Sequence, residues 1–327
     1  MNVKPLSTPA SDATQTPQID QIREDVLVRI HEDWSVPIIS ESNFTETGTV
    51  DVGWRSLVHL GLVTHPPGSQ KLVVVKEFNR ETASSVINNP ARIGKLQEYY
   101  KRECGVWRKI GTHSNIVEVI GVMKSYKNSI FPAIVMPYYS HRDLRTFVSR
   151  HSGCPLDTRA RMMLDVAQGL WYLHTLSPPI VHRDIKASNI FVKEENRALV
   201  ACIADFGSAK FAFNSEYDVS SSTRTGMFHW IAPEQLQDQE SGKNDSPICA
   251  SDIWSFGCTF LEILTARDPW GDDFSYQRLL AGQHPERPDD VQIDDMYWSI
   301  MENCWERDTV DRPSSEDVVL FLRQIRF

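Results

Sequence analysis

Val181-His182-Arg183-Asp184-Ile185-Lys186-Ala187-Ser188-Asn189 places a carboxylate, an ammonium and an amide within one short run. Asp184 can orient an attacking hydroxyl and accept its proton. Asn189, five residues further on, offers an amide oxygen suited to a hard cation. Lys186, between them, can face a phosphate as a point charge. Residues of these types also crowd ordinary solvated turns, and the chain carries its own control. His141-Arg142-Asp143-Leu144 repeats the opening letters but has Val148 at the position of the amide. The weight therefore rests on 181–189, provided the rest of an apparatus follows at suitable distances.

Working outward, the 327 residues are 41% hydrophobic, enough for one large core or two lobes. No run approaches the roughly 18 apolar residues of a membrane span, and residues 1–17 lack a basic end followed by an apolar core, so neither a span nor a signal peptide is expected. That leads to the expectation of an intracellular protein, cytoplasmic or nuclear. The six cysteines show no C-x-x-C spacing, which argues against a zinc site and a disulfide framework. A net charge of −9 disfavours nucleic acid as a partner.

Residues 1–18 are rich in Ser, Thr, Pro and Gln and are expected to stay disordered. Ile22, Val26, Ile30 and Trp34 share one face of a predicted helix over 19–34, the first part of an extension reaching to 44. Leu57 to Leu60 and Leu72 to Val75 read as a hairpin across His65-Pro66-Pro67-Gly68-Ser69, with Lys76 at the end of its second strand. A charged helix is predicted over 92–110, then a strand over 130–135 leading to Met136-Pro137-Tyr138-Tyr139. An amphipathic helix over 157–174 carries Met163, Val166, Ala167, Leu170 and Leu173 on one face. Two short strands, 190–192 and 200–203, precede Ala204-Asp205-Phe206-Gly207. The helix over 252–266 is apolar almost all round and belongs inside a lobe. Ser314-Ser315-Glu316-Asp317 caps a final helix.

Taken together, Lys76 after Val73-Val74-Val75, Glu103, His113 with Asn115-Ile116-Val117, the loop 182–189, Asp205-Phe206-Gly207, Ala232-Pro233-Glu234, Asp252 to Gly257, and Arg312 make the region from Thr45 to Phe327 resemble the eukaryotic protein kinases. Trp230, Cys304-Trp305 and Asp311-Arg312-Pro313 resemble the tyrosine-kinase-like group of Ser/Thr kinases. The resemblance implies an α+β, bilobal fold over 45–327. It has a β-rich small lobe with one key helix (about 45–136), a hinge (about 137–140) and a mainly helical large lobe (about 141–327), with ATP between the lobes.

It also implies roles. Lys76 holds the nucleotide phosphates and Glu103 pairs with it. Asp205 and Asn189 ligate Mg²⁺. Asp184 is the base and Lys186 steadies the transferred charge. Val58, Val74, Gly53, Met136, Tyr138 and Tyr139 line the nucleotide site. Asp143 either contacts the ribose or is a plain acid at a helix start. Glu234 and Arg312 form a structural ion pair, and Asp252 anchors the catalytic loop. The expected substrates are proteins. Acceptors within 215–225 invite an upstream activating kinase or autophosphorylation, with Arg183 as the cationic partner of the phosphate.

The chain departs from the family pattern in the glycine-rich loop, where Asp51 to Val58 keeps Gly53 alone of the usual glycines. Val74 stands where a smaller alanine is usual, narrowing the adenine site. Met227 fits neither the Thr of Ser/Thr kinases nor the Pro of tyrosine kinases, whereas Lys186 favours Ser/Thr. Tyrosine or dual specificity and a non-catalytic scaffold remain the alternatives.

Overall fold

The computed structural model describes residues 36–52, 56–65, 68–78, 100, 103–124, 126–129, 131–211, 228–236 and 248–325. The predicted tail over 1–18 and helix over 19–34, Gly53, the acceptors at 215–225 and Met227 lie outside them. Among the described residues, those up to 100 together with 119–137 form one compact unit, and 103–118 with 138–325 form a second. No helix of the described residues is long and apolar enough to cross a membrane.

The first unit is a five-stranded antiparallel sheet in the order β1-β2-β3-β5-β4, built from β1 (Phe44–Val52), β2 (Ser56–His65), β3 (Ser69–Phe78), β4 (Gly121–Met123) and β5 (Ala133–Pro137). The predicted hairpin is β2–β3, paired from Ser56 opposite Phe78 to His65 opposite Ser69. Its second strand runs two residues past Lys76. Strand β1 is not legible in the sequence, because irregularities between Glu46 and Gly48 and between Thr49 and Asp51 break the period-two alternation that marks a strand.

The strand period sorts β3 and β5 into two faces. Val63, Val73, Val75 and Val135 are buried in one cluster with Met123 and Tyr126. Ile39 joins them from ahead of β1. Its N–H donates to Val122 O at 2.8 Å, and the Val122 N–H donates to Pro37 O at 3.0 Å, so residues 37–39 run parallel to β4 along the sheet edge. A glycine is required beside them. A Cβ on Gly121 would lie 2.5 Å from Ile39 Cδ1 and 2.8 Å from Pro37 O. Gly121→Val should therefore lower stability by roughly 1–3 kcal/mol even though valine is the better strand former. Urea unfolding and amide exchange at Ile39 check this. An unchanged midpoint with Ile39 still protected would mean that the extension does not depend on the glycine.

The second unit is mainly helical. Its helices include, among the described residues, α1 (103–110), α2 (Leu144–Arg150), α3 (Leu156–Thr175), α4 (Cys249–Thr265), α5 (Tyr276–Leu280), α6 (Asp295–Cys304) and α7 (Ser315–Gln324). Every residue of α4 from Ser251 to Leu264 is buried, as its apolar circumference predicts. Arg159, at the start of α3 and itself buried, donates to the carbonyls of Ile263 and Leu264 at 3.2 and 3.1 Å and so satisfies the end of α4. The final helix opens with the predicted box: the Asp317 N–H donates to Ser314 Oγ, and the Ser314 N–H donates to Asp317 Oδ2 at 2.9 Å.

Two small sheets complete this unit. Strands β7 (Ile190–Glu195) and β8 (Ala198–Ile203) form a hairpin, while β6 (Ile180–Val181) pairs with β9 (Lys210–Phe211). The loop 182–189 is thus held at both ends, by β6 before it and β7 after it.

Candidate active site

In the first unit, Lys76 lies opposite Val58 on β2 and Ile134 on β5, and Val74 lies opposite Leu60 and Met136. Directly paired residues share a face. Val58, Val74, Lys76 and Met136 therefore occupy one face of the sheet, the reverse of the buried valine cluster, and all four are partly exposed. Four of the residues expected to meet nucleotide are thereby brought together by strand register alone.

In the second unit the loop 182–189 gathers its chemistry closely. Lys186 Nζ lies 3.0 Å from Asp184 Oδ1. Asn189 Nδ2 donates to the Asp184 carbonyl at 2.8 Å, and its N–H donates to Lys186 O at 2.9 Å. The Ala204 N–H donates to the backbone carbonyl of Asn189 at 2.9 Å, which ties the residue before Asp205 to the end of the loop. Asp184 and Asn189 are 6% and 8% exposed, so water competes little for them. Asp205 has φ +60°, a left-handed conformation uncommon for any residue but glycine. Such strain persists where surroundings over-determine it.

Those surroundings are visible. His182 Nε2 lies 2.9 Å from Ala204 O, and the Asp184 N–H donates to His182 Nδ1 at 3.3 Å, which assigns the imidazole a proton on Nε2. Phe206 packs edge-on between His182 and Trp107 of α1, at ring centroid distances of 4.9 and 4.6 Å. Glu103, on the same helix, is buried.

Below the loop, α4 supplies a polar stripe in an otherwise apolar helix. Asp252 accepts from the backbone N–H groups of His182 and Arg183 at 2.7 and 2.8 Å. Thr259 Oγ1 lies 3.3 Å from Ile185 O, sharing its one proton with a shorter bond to Ser255 O at 2.7 Å. Glu262 accepts from the Ala187 N–H at 3.0 Å and from Trp230 Nε1 at 2.9 Å. Positions 252, 259 and 262 fall on one helix face. Asp252 was expected as an anchor. Thr259 and Glu262 were missed, although their signal was available as polar residues seven and ten positions on in an apolar run.

Electrostatics differ along this stripe. Burial pushes the Asp252 carboxyl up, but the hydrogen bonds from His174 and from the Arg183 N–H are among the interactions that overcome this and hold it below the usual range. Glu262 is also buried, and there desolvation prevails over its hydrogen bonds and Arg145, raising it to about 7.

The second His-Arg-Asp run has another job. Asp143 caps α2, accepting from the Thr146 N–H at 2.9 Å and from Thr146 Oγ1 at 2.6 Å. Tyr139 is half-buried, and its O accepts from the Arg142 N–H at 3.0 Å. Tyr138 precedes it, also half-buried. Glu234 and Arg312 form the expected ion pair, two parallel contacts of 2.7 and 2.9 Å.

These arrangements can be set beside known proteins. A sequence profile described as protein tyrosine and serine/threonine kinase matches residues 48–322. "Probable serine/threonine-protein kinase roco11" of Dictyostelium discoideum is 29% identical over 94% of this chain and 19% of its own length. "Tyrosine-protein kinase Mer" of Mus musculus is 30% identical over 83% of this chain and 28% of its own. "Serine/threonine-protein kinase CTR1" of Arabidopsis thaliana is 30% identical over 69% of this chain and 26% of its own. The chain thus spans well under a third of the length of each of these relatives. With the profile covering most of its residues, the chain belongs to the protein tyrosine and serine/threonine kinase family.

Proposed function

We propose that the chain is an ATP-dependent protein kinase that moves the γ-phosphoryl group of MgATP to Ser or Thr hydroxyls of protein substrates. The observation that carries this reading is the gathering of Asp184, Lys186 and Asn189 in one largely buried loop, with the backbone of Ala204, the residue before Asp205, tied to it. Asp184 orients the acceptor hydroxyl and takes its proton. Lys186, beside it, faces the charge of the group in transit. Lys76 meets the phosphates of the nucleotide, whose base lies along Val58, Val74 and Met136 on the same sheet face.

The amide of Asn189 and the carboxylate of Asp205 are hard oxygen donors, few in number, which fits a Mg²⁺ ion that keeps water and phosphate oxygens as its remaining ligands. When bound, the ion neutralises charge on the phosphates. Holding those two donors in place is the task of the Asn189 and Ala204 hydrogen bonds.

The Ser/Thr assignment draws on Lys186, which stands 3.0 Å from Asp184 and so reaches the place of the reacting hydroxyl. The test is transfer from labelled MgATP to a generic basic protein and to the enzyme itself, followed by phosphoamino-acid analysis. Phosphoserine and phosphothreonine are expected. Phosphotyrosine as the product would overturn the specificity, and an absence of transfer after treatment with an upstream kinase would make the chain a scaffold.

A further inference from the structure

We infer that Ser315, the first residue of α7, positions the catalytic loop through His174 and Asp252, an inference that rests on the phosphate-transfer reading above. The ring of His174, near the end of α3, is 6% exposed. Its Nε2 lies 3.0 Å from Asp252 Oδ2 and its Nδ1 lies 3.1 Å from Ser315 Oγ. Ser315 is 141 residues from His174 in the chain, and 4% exposed.

The hydrogen-bond partners assign the protons. The carboxylate only accepts, so Nε2 carries hydrogen and donates to Asp252. In the neutral ring Nδ1 then has a lone pair, which the Ser315 hydroxyl satisfies by donating. Without that hydroxyl the lone pair is buried with its partner gone. The ring then keeps only its Nε2 tether and is free to tilt, which loosens the geometry of its bond to Asp252.

That loosening reaches the loop. Asp252 Oδ2 also accepts from the His182 N–H at 2.7 Å, and Oδ1 accepts from the Arg183 N–H at 2.8 Å. Arg183 has φ +68°, a left-handed conformation held by that bond, and Asp184 follows it directly. Three successive hydrogen bonds therefore separate the Ser315 hydroxyl from the residue before the base. The start of α7 is itself immobilised by the reciprocal bonds of Ser314 and Asp317, so Ser314 caps the helix while Ser315 is left to face His174. A Ser-His-Asp alignment of this kind does not serve as a nucleophile here, because all three side chains are buried.

Ser315→Val and Ser315→Thr have the same shape and differ in the hydroxyl, so comparing them separates the hydrogen bond from packing. Ser315→Val is expected to lower kcat roughly tenfold relative to Ser315→Thr, the effect of losing one buried hydrogen bond, with KM for ATP unchanged within about twofold. Long-range ¹H–¹⁵N spectra of the ¹⁵N-histidine protein provide the second readout, with the His174 signals identified by their loss in His174→Gln. Wild type and Ser315→Thr should show the Nε2–H tautomer, and Ser315→Val a changed pattern. Equal kcat in the Val and Thr variants, or a His174 pattern that Ser315→Val leaves intact, would overturn the inference. If the wild type transfers no phosphate, the phosphate-transfer reading fails, and a His174 pattern changed in Val but kept in Thr still establishes the hydroxyl link.

Discussion

Asp184→Asn should lower kcat for phosphate transfer by roughly 10²- to 10⁴-fold, the range over which a positioned general base contributes, without unfolding the protein. The amide has the size of the carboxylate but cannot take the proton of the acceptor hydroxyl. Two backbone hydrogen bonds that build the loop do not use the lost charge. Asn189 Nδ2 binds the backbone carbonyl of residue 184, and the residue 184 N–H donates to His182, so both bonds survive the substitution. One side-chain contact that the substitution weakens is that with Lys186 at 3.0 Å. Single-turnover transfer from labelled MgATP measures the rate, and binding of a fluorescent ATP analogue together with urea unfolding measures what should stay constant. A variant within about threefold of wild type would show that the proton goes elsewhere.

Asp252→Ala is expected to fail in a different way, losing stability and activity together. The side chain is fully buried and accepts from His182, Arg183 and His174. Its removal strands these donors in the interior, and each unsatisfied buried group costs about 1–3 kcal/mol. Partial relaxation and water entry reduce the sum, so a loss of roughly 3–5 kcal/mol is expected, comparable to breaking a buried charged pair. Arg183 then loses the hydrogen bond of its N–H at a left-handed backbone, and Asp184, which follows it directly, is displaced. A displacement near 1 Å costs about 10²-fold in rate. Urea unfolding and transfer assays on the same preparation check both effects. Full stability with full activity would show that β6 and β7 hold the loop without help from α4. The two variants form a matched pair, since one removes chemistry from an intact loop and the other removes the loop's support.

The difference between those variants follows a difference in what was legible. Asp184, Lys186 and Asn189 could be read directly because their chemistry is local: three functional groups in six residues keep nearly the same spacing in any chain that folds this loop. Lys76 could be placed with Val58, Val74 and Met136 once the strands were identified, because the two-residue strand period decides which side chains share a face. The capped start of α7 was legible for the same reason, its partners being three residues apart. Helix α4 announced its burial through an apolar circumference that leaves no side for water.

Strand β1 and the run 37–39 show the opposite case. The irregular pairing of β1 hides its alternation, and a parallel bridge between Ile38 and Val122 joins segments whose separation no local pattern records.

By itself, then, the sequence determined most of the elements, the loop 181–189 and the family, since helix period, strand period, caps and a short motif are all properties of near neighbours. Only the tertiary structure decided that Asp252, Thr259 and Glu262 serve the loop 70 to 75 residues away, that Gly121 makes room for Ile39, and that Ser315 rather than any other residue meets His174. A hydrogen bond across such distances depends on where folding brings its two ends. Burial then makes each partner indispensable, because an interior donor or acceptor has no water to replace it.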